Sequence, residues 1–405
     1  MHVLFVHRNF PAQFGHIAKY LIGERGWRCT FVSETPAGNV DGIRKIQYRT
    51  RGGATEQTHY FSRTFENATW HAAAVYEAVK PLREVLKPDL IVSHSGFGST
   101  LFLPELWPDA ALIDYFEYFY HPHHSDMDYR KEWPVAEADV LRARTRNAMI
   151  LLDLEYCDAG YSPTEFQRSL MPPTYANKLR VLHDGIDTSL WYRRTLPERR
   201  LGQLVIPPDT RIVTYCSRGF ESMRGFDIFM RVAKMIYQVN PDVLFLIVGS
   251  DHVHYGGDTK HIKEKTFKEY VLAQDHYDPS KFVFLGTVPP STLAQVFSLS
   301  DLHVYLTVPF VLSWSMLDAM ACACTILGSD TAPVREFIRH NENGLLADFY
   351  DVDRLAAVAL DVLRDPEAFR DLGRAAEKKI HEHYGMDVIM PKMLSFYEEV
   401  VSAKR

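Results

Sequence analysis

Cysteine is scarce in this chain of 405 residues, and its spacing does not suit a metal site. The five cysteines form no Cys-x-x-Cys pair and no zinc-binding pattern. An odd number in mostly apolar surroundings predicts reduced core thiols, as in a cytosolic protein. An excess of positive charge is also missing, because the net charge is -6 and the isoelectric point is near 6.3. Such a balance gives no reason to expect bulk nucleic-acid binding.

Long hydrophobic runs are absent as well. No window holds about 18 uninterrupted apolar residues, so the sequence predicts no transmembrane helix. The first apolar run, 3–6, is too short for a signal peptide, and His7 and Arg8 follow it directly. We therefore expect a cytoplasmic protein. Hydrophobic residues still make up 46% of the chain, which is enough for two globular domains of roughly 200 residues each.

A complete dinucleotide-binding motif is missing too. Gly96 and Gly98 follow an apolar run, but the third glycine of the motif is absent. Such a pair more often allows a helix to pack closely on a strand.

Short apolar runs alternate with amphipathic stretches, which predicts an α/β fold with doubly wound parallel sheets. The predicted strands are 3–6, 30–32, 43–48, 90–93, 111–114, 159–162, 178–183, 212–215, 244–248, 281–285, 302–306 and 325–327. The predicted helices are 13–22, 71–86, 135–154, 226–239, 260–272, 291–298, 314–324, 351–363, 366–383 and 390–401.

The stretch 301–338 is the most informative part of the chain. It is predicted to form a strand, a turn, a helix and a second strand. Ser313 and Ser315 stand at the helix start, where free backbone amides and the positive helix end can hold a phosphate. Asp318 lies one turn inside the helix among apolar neighbours. On pattern alone, a plain βαβ unit with a solvated aspartate remains the alternative.

Two arginines mark a second candidate site, between the strand 212–215 and the helix 226–239. Arg218 and Arg224 stand six positions apart in a loop that contains glycine. Cations at the start of a helix can form a pyrophosphate clamp, and a guanidinium adds bidentate geometry. A solvated basic loop is the alternative.

An aromatic and acidic segment follows the strand 111–114. Three histidines and two aspartates lie within residues 121–128, but they are too contiguous for one tetrahedral metal site, and we predict no metal there. The end of the strand, with Glu117 and His121, is a candidate lining for an acceptor site. The alternative is a surface loop with an aromatic lid.

The residues Asp318-Ala319-Met320-Ala321-Cys322, followed by Ser329-Asp330 and Glu336, carry a family resemblance. They resemble the donor segment of retaining glycosyltransferases of family 4. The turn 184–187 is similar to the turn that closes the first domain in that family. The resemblance implies the GT-B fold, with two Rossmann-like doubly wound domains that face each other across a cleft. It implies an acceptor domain at 1–190, a nucleotide-sugar donor domain at 191–380, and a helix at 381–405 that crosses back to the first domain.

The resemblance also implies roles for single residues. The family's paired glutamates fall on Phe310 and Asp318; the aspartate can still bond the ribose, whereas Phe310 cannot bond the sugar. Arg218 and Arg224 match the cations that contact the nucleotide diphosphate, and Glu117 and His121 match the region near the sugar. The further donor-binding positions are Gly15, Gly249, Val288, Ser313, Trp314 and Ser315.

The implied activity is sugar transfer, with retained configuration and without a metal or other cofactor. The donor is a UDP or GDP sugar, and the acceptor is a glycan, a lipid-linked acceptor or another hydroxyl compound. Bacterial surface polysaccharide or glycoconjugate synthesis is the implied setting. Arg142, Arg144 and Arg146 predict either a helix at the inner membrane face or a solvated face. A non-catalytic sugar-nucleotide-binding or scaffold protein of the same fold is the alternative, and a phosphorylase or epimerase is a third.

Overall fold

A computed structural model of the protein describes residues 1–36 and 38–405. The described residues form two compact units. Unit 1 comprises 1–127, 135–185 and 387–405, and unit 2 comprises 128–134 and 186–386.

Unit 1 is built on a parallel sheet. Its strands are β1 (His2–Val6), β2 (Arg28–Ser33), β3 (Ile43–Gln47), β4 (Leu90–His94), β5 (Ala111–Tyr115), β6 (Ala159–Ser162) and β7 (Leu179–Val181). Their order is β3-β2-β1-β4-β5-β6-β7, and each neighbouring pair is parallel. The central strands β1, β4 and β5 are fully buried and mostly apolar, as expected for a sheet that is covered on both faces.

Unit 2 repeats this architecture. After a small antiparallel pair, β8 (Arg200–Leu201) and β9 (Leu204–Val205), its parallel strands are β10 (Arg211–Gly219), β11 (Val243–Ser250), β12 (Phe282–Gly286), β13 (Leu302–Tyr305), β14 (Ile326–Ser329) and β15 (Leu345–Ala347). The parallel order is β12-β11-β10-β13-β14-β15. The strand order reverses between β10 and β13, and ligands of such sheets bind beyond the carboxyl ends of the strands at this switch point. In unit 1 the reversal falls between β1 and β4.

Helices cover the faces of both sheets. In chain order they are α1 (Gly15–Arg25), α2 (Arg63–Val79), α3 (Arg83–Leu86), α4 (Asp126–Tyr129), α5 (Glu137–Arg146), α6 (Ala148–Tyr156), α7 (Glu165–Ser169), α8 (Phe226–Val239), α9 (Phe267–Ala273), α10 (Pro290–Leu299), α11 (Trp314–Ala321), α12 (Ala332–Arg335), α13 (Val352–Arg364), α14 (Arg370–His383) and α15 (Met386–Lys404). In the described part of the chain, no helix has the length and apolar character that crossing a membrane requires.

Three of the predicted helices differ clearly from the structure. The predicted helix 71–86 begins eight residues earlier, as α2 from Arg63, and a 3-10 turn at Lys80–Leu82 separates α2 from α3. The predicted helix 135–154 is two helices, α5 and α6, which meet at the buried Asn147. The Asn147 side chain exchanges two hydrogen bonds with the backbone of Tyr120, at 2.9 and 2.8 Å, and this contact fixes the break. The predicted helix 260–272 begins only at Phe267, because Thr266 caps it by accepting the Glu269 N–H at 3.1 Å.

The C-terminal helix α15 belongs to unit 1 from Asp387 onward. Its Phe396 ring lies edge-on to Tyr161 of β6 at 6.0 Å, and Glu399 pairs with Arg180 of β7 at 2.7 Å. The last helix therefore completes the packing of a unit whose sheet is formed by the first half of the chain.

A short segment, residues 128–134, belongs to unit 2 although its flanking residues belong to unit 1. Arg130 of this segment is 6% exposed and forms an ion pair with Asp227 at the start of α8, with Nη2 2.6 Å from Oδ2. It also donates to the Ser222 carbonyl at 2.6 Å. Trp133 lies edge-on to Phe267 of α9 at 5.4 Å. The segment is thus an integral part of the unit 2 packing.

Candidate functional site

The unit 2 site is built on the loops that follow β10 and β13, at the switch point of the sheet. The loop after β10 ends in Arg224 and Gly225, and Gly225 has φ of 61° and leads into α8. A Cβ atom at Gly225 would lie 2.8 Å from the Cβ of Leu306, so only glycine allows the two loops to approach this closely.

Arg224 joins the two loops. Its Nη1 donates to Thr307 Oγ1 at 2.7 Å, and its Nη2 donates to the Val311 carbonyl at 2.9 Å. The side chain is buried, and both hydrogen-bond partners in the described residues are neutral oxygens. Because a buried charge is costly without an opposite charge, this guanidinium is suited to bind an anion.

Arg218 and Arg224 both lie beside the side chain of Tyr255. The exposed Arg218 donates to the Tyr255 hydroxyl at 3.3 Å, and the Arg224 guanidinium lies 5.4 Å from the centroid of the same ring. The two predicted phosphate-binding cations therefore flank one ring, Arg224 fixed and Arg218 open to solvent.

Glu221 organises this region, and sequence reasoning missed it. It is fully buried, and its Oε2 accepts the backbone N–H groups of His254, Tyr255 and Gly256 at 3.0, 3.0 and 3.3 Å. These bonds hold Tyr255 against the arginines. The signal that could have revealed Glu221 is an isolated carboxylate between two cations in a loop of glycine and small polar residues.

Phe310 lies at this site. Its ring centroid is 5.7 Å from that of Tyr255, and the Arg224 guanidinium lies 5.8 Å from its centre. The position where the family has a glutamate therefore presents an aromatic face next to the buried cation. No carboxylate stands at this position, and the Phe310 ring forms an apolar wall there.

The start of α11 is capped in the expected place. The Ser313 hydroxyl accepts the Ser315 N–H at 3.4 Å, and the Ser313 N–H donates to the Tyr305 hydroxyl at 2.8 Å. Trp314 is 47% exposed at the first position of the helix. The predicted phosphate-binding turn is thus a fixed helix N-terminus that carries a half-exposed indole.

Asp318 lies on the buried side of α11. Burial raises its pKa well above the ordinary value, and the pKa of the Cys216 thiol is raised to about 12, by burial first and then by Asp318. Burial therefore favours the protonated form of this carboxyl group, which can both donate and accept hydrogen bonds and so suits ligand hydroxyl groups.

The other predicted donor positions are spread more widely. Gly249 is the last residue but one of β11 and has φ of 152°. A Cβ atom there would lie 2.4 Å from the Ser217 carbonyl oxygen, so the close approach requires glycine. Val288 is half-buried and packs against the unit 2 core. Gly15 begins α1 in unit 1 and is buried.

Unit 1 contains a pocket of its own, of about 300 Å³, beyond the carboxyl ends of β1 and β4. We call it the unit 1 pocket. Polar, charged and aromatic side chains line it: Arg8, Thr64, Asn67, His71, His94, Ser95, Phe97, Glu117, Tyr118, Tyr120 and Arg146.

Glu117 lies in this lining, paired with His94 at 3.4 Å between Oε2 and Nε2. Burial lowers the pKa of His94, but the hydrogen bond and charge of Glu117 outweigh it, so the pKa is raised above its ordinary value. The second predicted residue, His121, lies outside the lining, and its ring pairs with the Leu170 carbonyl at 2.8 Å. His94 is the imidazole that the structure brings to Glu117, and sequence reasoning missed it.

More buried titratable groups surround this pair. Burial lowers the pKa of His7 to about 3, and its ring lies edge-on to His94 at 5.3 Å. Burial and then the charge of Glu117 raise the pKa of Asp184 to about 7, and Tyr115 donates to this carboxyl at 3.3 Å. Perturbed groups of this kind cluster at functional sites, which supports the unit 1 pocket as one.

Solved structures share this fold. Sucrose-phosphate synthase from Thermosynechococcus elongatus matches with a TM-score of 0.77 at 18% identity, covering 100% of both chains. Anabaena HepE in complex with UDP and glucose matches with a TM-score of 0.71 at 15% identity, covering 98% of this chain and 100% of that one. The two parallel-sheet units are those of the GT-B glycosyltransferases.

Family models cover most of the chain. The model described as glycosyl transferase family 4 group matches residues 25–191, and the model described as glycosyl transferases group 1 matches residues 198–379. The chain belongs to these family 4, group 1 glycosyltransferases, and the family predicted from the Asp318 motif is confirmed.

Curated relatives carry more specific names. N-acetyl-alpha-D-glucosaminyl L-malate synthase of Bacillus anthracis is 24% identical over 260 residues, 63% of each chain. Alpha-maltose-1-phosphate synthase of Mycolicibacterium smegmatis is 26% identical over 261 residues, 61% of this chain and 64% of that one. The match spans less than two thirds of either relative's length.

Proposed function

We propose that this glycosyltransferase transfers a sugar, with retained anomeric configuration, from a nucleotide-diphospho-sugar to a hydroxyl group of its acceptor. The observation that carries the proposal is the buried Arg224, whose described hydrogen-bond partners are all neutral. Growing negative charge on a leaving diphosphate would supply the anion that this guanidinium lacks.

Each remaining part of the donor has a candidate partner in unit 2. Arg218, exposed beside Tyr255, would bind the second phosphate, and the capped start of α11 would donate backbone N–H groups to it. The buried carboxyl group of Asp318 would bind the ribose hydroxyl groups. In this proposal the arginines supply the positive charge at the diphosphate, and no metal ion is assigned.

The proposed reaction follows a front-face path. The acceptor hydroxyl attacks the anomeric carbon from the side of the leaving group as the bond from that carbon to the phosphate oxygen breaks. The leaving phosphate takes the hydroxyl proton. Fixing the ribose and the diphosphate orients the anomeric carbon for this step.

The relatives make UDP the first nucleotide to test. HepE has been solved with UDP-glucose, and starch synthase IV from Arabidopsis thaliana has been solved with ADP and acarbose. We further propose a cytoplasmic setting in polysaccharide or glycoconjugate synthesis, with or without contact to the membrane face.

Calorimetric titration tests the donor proposal. UDP, GDP, ADP and their glucose conjugates are titrated into the wild type, Arg224→Ala, Arg224→Lys and Arg231→Ala. Arg231 is an exposed arginine on α8 and serves as the control. We expect one nucleotide to bind, Arg224→Ala to lose about 1.5–3 kcal/mol of binding free energy, and Arg224→Lys to lose less.

If the wild type and both Arg224 variants bind the nucleotide with equal affinity, Arg224 does not contact the donor. Thermal unfolding of each variant shows whether it is folded. Binding of a nucleotide sugar without turnover by any acceptor would favour the sugar-nucleotide-binding protein, for which the aromatic Phe310 at the site is the supporting observation.

A further inference from the structure

We infer that the unit 1 pocket selects a small acceptor that carries an anionic group, a carboxylate or a phosphate, beside its hydroxyl, and that Arg146 is the residue that selects it. The inference rests on the proposed function, because it names the chemical class of the acceptor.

The size of the pocket favours a small acceptor. Its volume of about 300 Å³ lies at the lower end of the range for ligand sites, and five different elements contribute its polar lining. Arg8 follows β1, Ser95 follows β4, Glu117 follows β5 and Arg146 ends α5, while α2 contributes Thr64, Asn67 and His71. A pocket of this volume suits a small molecule.

Arg146 supplies the charge that an anionic group would meet. Its guanidinium lies over the Tyr120 ring, 3.6 Å from the centroid. Within the described residues it has no carboxylate partner at ion-pair distance. Stacking on a ring fixes the plane of the guanidinium and leaves its N–H groups available for a two-point bond to a carboxylate or phosphate.

The side chains of Arg8 and Glu117, which also line the pocket, already have partners of opposite charge. Arg8 pairs with Glu34 at 3.3 Å, and Glu117 pairs with His94 at 3.4 Å. An acceptor anion would therefore meet one unmatched cation, Arg146. Glu117 lines the same pocket, where its carboxylate can accept a hydrogen bond from the acceptor hydroxyl.

The test uses matched pairs of charged and neutral probes. Glycerate is compared with glyceramide, and glycerol 3-phosphate is compared with glycerol. Binding to the full chain is measured by ligand-observed NMR for the wild type, Arg146→Ala, Arg146→Lys and Arg144→Ala. Arg144 lies on the same helix but is exposed and outside the pocket, so it controls for a general loss of charge.

We expect at least one charged probe to bind at least tenfold more tightly than its neutral partner. We expect Arg146→Ala to lose at least tenfold in affinity for it, Arg146→Lys to retain part, and Arg144→Ala to match the wild type. Preference for glycerate identifies a carboxylate, and preference for glycerol 3-phosphate identifies a phosphate.

Three results would overturn the inference: equal binding of charged and neutral probes, no binding of either charged probe, or an Arg146→Ala variant that binds as the wild type does. If the protein binds none of the small probes and yet binds phosphatidylglycerol vesicles and not phosphatidylcholine vesicles, that result would overturn the free acceptor and identify an anionic lipid headgroup instead.

These probes are measured without a sugar nucleotide. Their result is therefore independent of the donor titration. If the acceptor inference fails, the donor titration can still be interpreted, and the reverse also holds.

Discussion

The guanidinium of Arg224 donates to the hydroxyl of Thr307 at 2.7 Å, across 83 positions of sequence. This bond connects the loop after β10 to the loop after β13 at the switch point of the unit 2 sheet. It fixes the direction of a buried cation that has neutral partners. In the proposed function, this bond would hold the guanidinium in place for the diphosphate of the donor.

Replacing Thr307 tests this arrangement. Thr307→Val keeps the shape but removes the acceptor, so we expect donor affinity to fall by about 0.5–1.5 kcal/mol, roughly two- to tenfold in Kd. Calorimetry with the best nucleotide measures it. Thr331→Val is the control, because the Thr331 hydroxyl is buried without a hydrogen-bond partner in the described residues. Unchanged affinity in Thr307→Val would show that Arg224 needs no support from this hydroxyl.

Phe310 allows a test of sugar recognition. Phe310→Glu introduces a carboxylate beside Arg224, where it can accept hydrogen bonds from the sugar and can also attract the guanidinium. We expect a changed order of preference among UDP-glucose, UDP-galactose and UDP-N-acetylglucosamine, measured as Kd or turnover. Phe310→Leu keeps an apolar side chain and should keep the order. An identical order in the glutamate variant would place the sugar away from residue 310.

Asp184 predicts a pH dependence of stability. Its ordinary pKa of 3.8 is raised to about 7 in the folded protein, first by burial and then by Glu117. The folded state therefore binds more protons than the unfolded state between about pH 4 and 7, and stability falls as the pH rises through this window. Asp184→Asn cannot titrate, so its Tm relative to the wild type should rise from pH 4 to pH 7.

Thermal unfolding at a series of pH values measures this difference. Asp109→Asn removes an exposed carboxyl of unit 1 and should follow the wild-type curve. Parallel curves for the wild type and Asp184→Asn would mean that Asp184 titrates alike in the folded and unfolded states.

Removing the Arg130 side chain should lower the stability of the fold. Its ion pair with Asp227 is largely buried, with the side chains 6% and 23% exposed. Arg130→Ala leaves Asp227 without its partner, and because Asp227 keeps some contact with water we expect a loss of about 1–3 kcal/mol. Urea unfolding measures it.

The control for Arg130 is an exposed ion pair. Arg335 and Asp330 lie 2.5 Å apart but are 58% and 40% exposed, so Arg335→Ala should change stability by less than about 1 kcal/mol. Equal losses in the two variants would show that burial adds nothing to the Arg130 pair.

Much of the fold could be predicted because its elements are encoded locally. The run 159–162 is β6 and the amphipathic stretch 226–239 is α8, each as the pattern predicts. Apolar strands and helices with one apolar face carry their signal within a few residues. The break at Asn147 carries no such signal, because it depends on the backbone of Tyr120, which is distant in sequence.

In the candidate site, too, local sequence patterns could be predicted and contacts between distant residues could not. The motif around Asp318 and the arginines at 218 and 224 can be read directly from the chain. The role of Glu221 cannot, because its partners are backbone N–H groups more than 30 positions away. The pairing of Glu117 with His94 and the placement of Arg146 likewise exist only once the strands β4 and β5 and the helix α5 have assembled.

The 128–134 segment has a practical consequence for dissecting the protein. A fragment cut as residues 186–386 would contain every parallel strand of unit 2 but would leave Asp227 without Arg130 and Phe267 without Trp133. A donor-binding fragment intended for crystallisation or NMR should therefore carry these seven residues, attached to its N-terminus through a flexible linker. Protease cleavage on either side of the segment would leave β5 and β6 paired across the cut, so we expect the nicked protein to remain associated.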